Sequence, residues 1–74
     1  MTKACILIQT ESGGVIESLR RIRDIGRVRR AFPVYGRYDI VVFIEGTDLK
    51  ELNDVILEIN CLKGIDKTET LLEA

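Results

Sequence analysis

Residues 31–44 form two apolar runs joined by a polar corner, and that corner constrains the rest of the chain. Ala31-Phe32-Pro33-Val34 stands before it and Ile40-Val41-Val42-Phe43-Ile44 after it, with Tyr35-Gly36-Arg37-Tyr38-Asp39 between them. A short connector holding one glycine between strand-like runs predicts a β-hairpin. Gly36 reaches positive φ without the clash that a Cβ would meet, so it is the natural corner. Two tyrosines and an acid crowded onto one turn are more polar-aromatic chemistry than a turn requires. Function is therefore sought here first.

The flanking segments repeat one pattern twice. Lys3–Thr10 is rich in β-formers, and Glu11-Ser12-Gly13-Gly14 breaks it, with either Ser12 or Gly14 placed to cap a helix. Val15, Leu19, Ile22 and Ile25 then recur at helical spacing, Glu17 can pair with Arg21 one turn on, and Gly26 stops the helix. The second strand covers Arg27 to Tyr35, where Pro33 removes a backbone donor and restricts it to a sheet edge. The third strand, Asp39 to Glu45, precedes an Asp48-Leu49-Lys50-Glu51 cap and a helix reaching Leu62. Leu49, Leu52, Ile56 and Ile59 form that helix's apolar stripe, widened by Val55. Lys63-Gly64 closes it, and Ile65 to Leu72 is the last strand.

This order, β-α-β-β-α-β, predicts an α+β fold: a ferredoxin-like sandwich with both helices on one face of an antiparallel four-stranded sheet. Right-handed crossovers place the helices on the same side. The expected strand order is 4-1-3-2, which makes the first and third strands central. A sheet covered on one face should alternate apolar and polar residues. These central strands do not: Ile40, Val42 and Ile44 oppose Val41 and Phe43, while Ala4, Ile6 and Ile8 oppose Cys5 and Leu7. The second apolar face is too large for a comfortable monomer, so a sheet-on-sheet dimer is expected.

With 74 residues, the chain reads as one domain, residues 1–74, near the lower size limit for a self-sufficient core. The net charge of -1 argues against a general polyanion binder. The longest apolar run, Ile40 to Ile44, is far short of the roughly 20 residues that span a bilayer, so a cytoplasmic protein is expected. Cys5 and Cys61 make no C-x-x-C and there is no histidine, so no metal site is expected and both thiols read as free and mostly buried. No nucleophile–base pair or carboxylate dyad appears, so no catalytic residue, cofactor or enzyme activity is expected.

Three features are weighed as sites. At the corner, backbone N–H groups around Gly36 can receive a small carboxylate, with Asp39 taking an ammonium and Tyr38 walling the pocket; alternatively Asp39 only braces the turn. Thr68 and Thr70 share one face of the last strand, either as good β-formers or as paired hydroxyls facing a partner subunit. Seven of the eleven basic residues (Arg20, Arg21, Arg23, Arg27, Arg29, Arg30 and Arg37) fall in one stretch. They read as solvated helix face and edge protection, or as a nucleic-acid patch. An RNA-reading version of the fold would need stacking aromatics on the central strands, where only Phe43 qualifies.

Gly36-Arg37-Tyr38-Asp39 resembles the G-x-Y-D turn of the effector domain of the Lrp/AsnC family, the leucine- and asparagine-responsive transcription regulators. Asp48…Glu51-Leu52, Lys63-Gly64-Ile65 and Thr68-x-Thr70 match in register, so the resemblance spans essentially the whole chain. The helix-turn-helix domain of the family's regulators is not in this sequence, which is similar to the stand-alone effector (RAM) domain. The resemblance implies a sheet-on-sheet homodimer, assembly of dimers into rings such as octamers, and an amino-acid effector bound between dimers. It assigns Gly36, Tyr38 and Asp39 to the effector turn, Thr68 and Thr70 to a polar pair, and Val34 and Tyr35 to its flanks. It further implies indirect control of transcription through mixed assembly with full-length Lrp/AsnC-type regulators, without direct contact to nucleic acid or membrane. A nucleic-acid-binding ferredoxin-like module and a purely structural oligomerisation domain are the alternatives.

Overall fold

A computed structural model describes residues 1–73. Its elements run β1 (Thr2–Thr10), α1 (Val15–Arg23), β2 (Val28–Pro33), β3 (Ile40–Gly46), α2 (Leu49–Asn60) and β4 (Ile65–Leu72). All strand pairs are antiparallel in the order β2-β3-β1-β4, the ferredoxin-like arrangement expected from the element order. β2 ends earlier than its composition suggests, because the chain leaves the ladder after Pro33 pairs with Ile40. α2 likewise ends at Asn60, two residues before Leu62.

Alternation along the central strands sorts residues between the two faces. Ile6, Ile8, Ile40, Val42 and Ile44 point to the helices and are fully buried, meeting Leu19 and Ile22 from α1 and Leu52, Val55 and Ile59 from α2. Each buried isoleucine contributes about 1.5–3 kcal/mol. Leu49 was expected on the α2 stripe; as the first helical residue it projects past the core and is exposed. The α2 cap forms as the sequence implies: Asp48 Oδ1 accepts from the Glu51 N–H at 3.0 Å, and Glu51 Oε1 reaches back to Thr47 N and Oγ1, both at 2.7 Å. Gly14, not Ser12, occupies the N-cap of α1, and no side chain caps it. Glu17 is shared between Arg20 at 2.7 Å and Arg21 at 3.5 Å.

The opposite face of the sheet bears no helix. Register places Phe32, Val41 and Leu7 in one row across it and Arg30, Phe43, Cys5 and Leu71 in the next. Phe43 and Leu71 are exposed there, and Phe32 lies 6.1 Å from Phe43, with the Arg30 guanidinium 5.0 Å above its ring. The cysteines depart from expectation: Cys5 is only half-buried, on this bare face, and Cys61 is exposed just past α2. Among the described residues, no helix is long and apolar enough to cross a membrane.

Candidate functional site

The hairpin connecting β2 to β3 is pinned at both ends. The Val34 N–H donates to the Asp39 carbonyl at 2.9 Å, and the Asp39 N–H donates to the Ile8 carbonyl at 2.8 Å. The Asp39 side chain adds a third tie, because Oδ2 accepts from the Thr10 N–H at 2.9 Å and from Thr10 Oγ1 at 3.3 Å. Both bonds fall on one oxygen, leaving Oδ1 unengaged among the described residues. Thr10 follows Ala4, Ile6 and Ile8 in the inward register of β1, so its hydroxyl and amide need a partner. A polar residue in that register was the sequence signal for this contact, and its partner could not be named from pattern alone.

Between these ties the loop is open. The N–H groups of Tyr35, Gly36, Arg37 and Tyr38 meet no acceptor among the described residues. Gly36 has φ +133°, and a Cβ there would meet nothing within 4 Å; backbone strain alone reserves the position for glycine. Beside the loop lies a cavity of about 250 Å³ lined by Val15, Pro33, Val34, Tyr35 and Asp39.

Neighbouring residues of the turn serve opposite sides of the sheet. Asp39 faces Thr10 on the helix side, whereas the Tyr38 hydroxyl donates to Glu69 Oε1 at 2.6 Å on the bare side, where Glu69 pairs with Leu7. That hydrogen bond to an anion, aided by partial desolvation, pushes the Tyr38 phenol above its ordinary pKa. Thr68 and Thr70 pair with Ile8 and Ile6 and so share the helix side. Thr68 Oγ1 donates to Asn60 Oδ1 on α2 at 2.8 Å. Ile8 pairs with both Ile40 and Thr68, which sets the threonine about 10 Å from the start of β3, two strand spacings away. Within one chain, then, Gly36, Tyr38, Asp39, Val34 and Tyr35 cluster at the hairpin while the threonine pair stands apart on β4.

The arginine-rich stretch is largely internal bracing. Arg20 and Arg21 hold Glu17, Arg27 holds Glu51 at 2.7 Å, and Arg29 lies 3.7 Å from Glu45. Arg23 clamps the Ala31 carbonyl through Nε at 3.0 Å and Nη2 at 2.8 Å. Arg37 alone among them stands in the turn.

A family model described as the Lrp/AsnC ligand binding domain matches residues 3–72. The chain belongs to this family. Over 70 residues it is 39% identical to a homocitrate synthase of Sulfolobus acidocaldarius; the match takes in 93% of the chain but only 15% of that enzyme's length. The crystal structure of FFRP-DM1 superposes with a TM-score of 0.94 and 33% identity, each chain covered completely. A transcriptional regulator of Neisseria meningitidis, NMB0573, solved in complex with L-Met, superposes with a TM-score of 0.85 over 99% of this chain and 49% of its own. At 16% identity that likeness is one of fold. The Lrp/AsnC assignment makes the chain a regulatory ligand-binding domain.

Proposed function

We propose that this Lrp/AsnC domain binds a free amino acid at its β2–β3 hairpin and passes the signal on through assembly. The observation that carries the reading is the charge layout of the turn. A fixed carboxylate with one open oxygen stands beside a run of unengaged backbone N–H groups, and a zwitterion offers an ammonium to the first and a carboxylate to the second. Gly36 and Asp39 form the core of the site, flanked by Val34 and Tyr35, with the Tyr38 side chain on the bare-face side of the same turn. Thr68 and Thr70, remote within one chain, enter from a second copy.

Assembly starts on the bare sheet face, where Leu7, Val41, Phe43 and Leu71 pack against their equivalents in a homodimer, and dimers combine into larger rings such as octamers. A ligand at a seam stabilises whichever assembly completes its pocket, by differential affinity. Mixed assembly with full-length Lrp/AsnC-type regulators turns that preference into transcriptional output. The match to a family model described as a ligand binding domain supports a small-molecule effector. The homocitrate synthase match favours a second output, in which the same domain reports an amino acid to an enzyme. Native mass spectrometry of the domain mixed with either partner separates the two.

Isothermal titration against the twenty amino acids, on the wild type and on Asp39→Asn, tests the site. Binding by the wild type and its loss in the variant are expected. Equal affinity in both would remove Asp39 from the site.

A further inference from the structure

The cavity beside the hairpin has a side-chain chemistry of its own. Val15 opens α1, Pro33 closes β2, and Val34 and Tyr35 begin the turn; Asp39 is the single charged group among the lining residues. Val15 reads in the sequence as a core position of α1, yet it is only half-buried and forms one wall of this space. We infer that the cavity selects an amino acid with an uncharged aliphatic side chain, its ammonium on Asp39 Oδ1 and its side chain against Val15, Pro33 and Val34. This rests on the amino-acid reading above and narrows it to a ligand class.

Charge accounting over this lining argues against ligands with charged side chains. The α-ammonium needs one carboxylate, and the lining supplies one. A lysine or arginine ligand would bring a second cation to apolar walls without a second anion, and an unpaired charge there is costly. An aspartate or glutamate ligand would add an anion beside Asp39 with no cation lining the space to answer it. An aliphatic side chain instead removes its own surface and that of three aliphatic walls from water. Size agrees as well: a cavity of about 250 Å³ has room for an aliphatic side chain. The ligand's carboxylate is left at the mouth, toward the N–H groups of the turn.

The test is isothermal titration of the full chain with leucine, isoleucine, valine, methionine, lysine, arginine, aspartate and glutamate. At least one aliphatic amino acid is expected to bind about tenfold or more tightly than any charged one. Val34→Asp, which adds a second carboxylate to the wall, is expected to shift the preference toward lysine. Val15→Leu, a mild change that fills the cavity, is expected to weaken leucine binding while circular dichroism stays unchanged. A wild-type preference for a charged amino acid that Asp39→Asn abolishes would overturn this inference and leave the amino-acid reading intact. Aliphatic binding indifferent to both Val15→Leu and Val34→Asp would also overturn it, by moving the side chain elsewhere. Binding of no amino acid at all would overturn both.

Discussion

Tyr38 and Asp39 are adjacent in the chain and look to opposite faces of the sheet, so each can be probed without disturbing the other's contact. The Tyr38 phenol is held by Glu69 and its pKa is raised. A raised pKa means the bond stabilises the fold fully below the ordinary tyrosine value, near 10, and is lost as pH rises through the folded one. In Tyr35→Phe, where Tyr38 is the remaining tyrosine, absorbance titration near 295 nm is expected to show ionisation above the ordinary value. Adding Glu69→Gln should bring that midpoint down. A midpoint unchanged by Glu69→Gln would mean that the hydrogen bond is not formed in solution. The sequence marked the corner as unusual and named its residues, but the pairing partners Thr10 and Glu69 lie 29 and 31 positions away. Such contacts follow from register, which local pattern does not reveal.

Elements were the most legible level. Period-two runs, the Asp48 cap and the glycines located every strand and helix, because those signals are local and strong. Ends were less so: Val34 and Tyr35 keep β-like composition after β2 has ended at Pro33, and Leu49 has the right spacing for the α2 stripe but sits too near its start to be covered. Two element-level predictions follow from the caps. Glu51 is held below the usual carboxylate range, first by the Thr47 N–H, then by the Thr47 hydroxyl and more weakly by Arg27. Its contribution is therefore present above the unfolded carboxylate pKa and lost as pH falls through the depressed folded value. Thermal melts from pH 7 to pH 2 are expected to show a shallower acid decline in Glu51→Gln than in the wild type. Gly64 has φ +96°, and a Cβ there would stand 3.1 Å from the buried Ser18 hydroxyl. Gly64→Ala should cost about 1 kcal/mol or more, read as a lower urea midpoint with unchanged slope.

At the scale of the whole molecule, the central strands are apolar on both faces, and a bare face with Phe43 and Leu71 exposed is what that pattern requires. Phe43→Glu is expected to leave circular dichroism intact and reduce the mass seen by light scattering to that of one chain. The cysteines give an independent reading. Cys61 is exposed, whereas Cys5 lies half-buried on the bare face with its thiol pKa pushed up by burial. Alkylation should therefore be fast at Cys61 and slow at Cys5, and slower still at Cys5 as protein concentration rises. A Cys5 rate independent of concentration would argue against sheet-on-sheet packing.

The two rims of the sheet differ in a way that limits how such a molecule can stick to itself. In the antiparallel ladder Ala31 and Pro33 turn their main-chain groups outward, yet proline has no hydrogen to give and Arg23 already grips the Ala31 oxygen. Thr68, Thr70 and Leu72 on the far rim carry no such stopper. Strand-by-strand growth thus finds one usable margin and one blocked one. Two copies joined by that margin would have used it up, so edge pairing would stop at two chains.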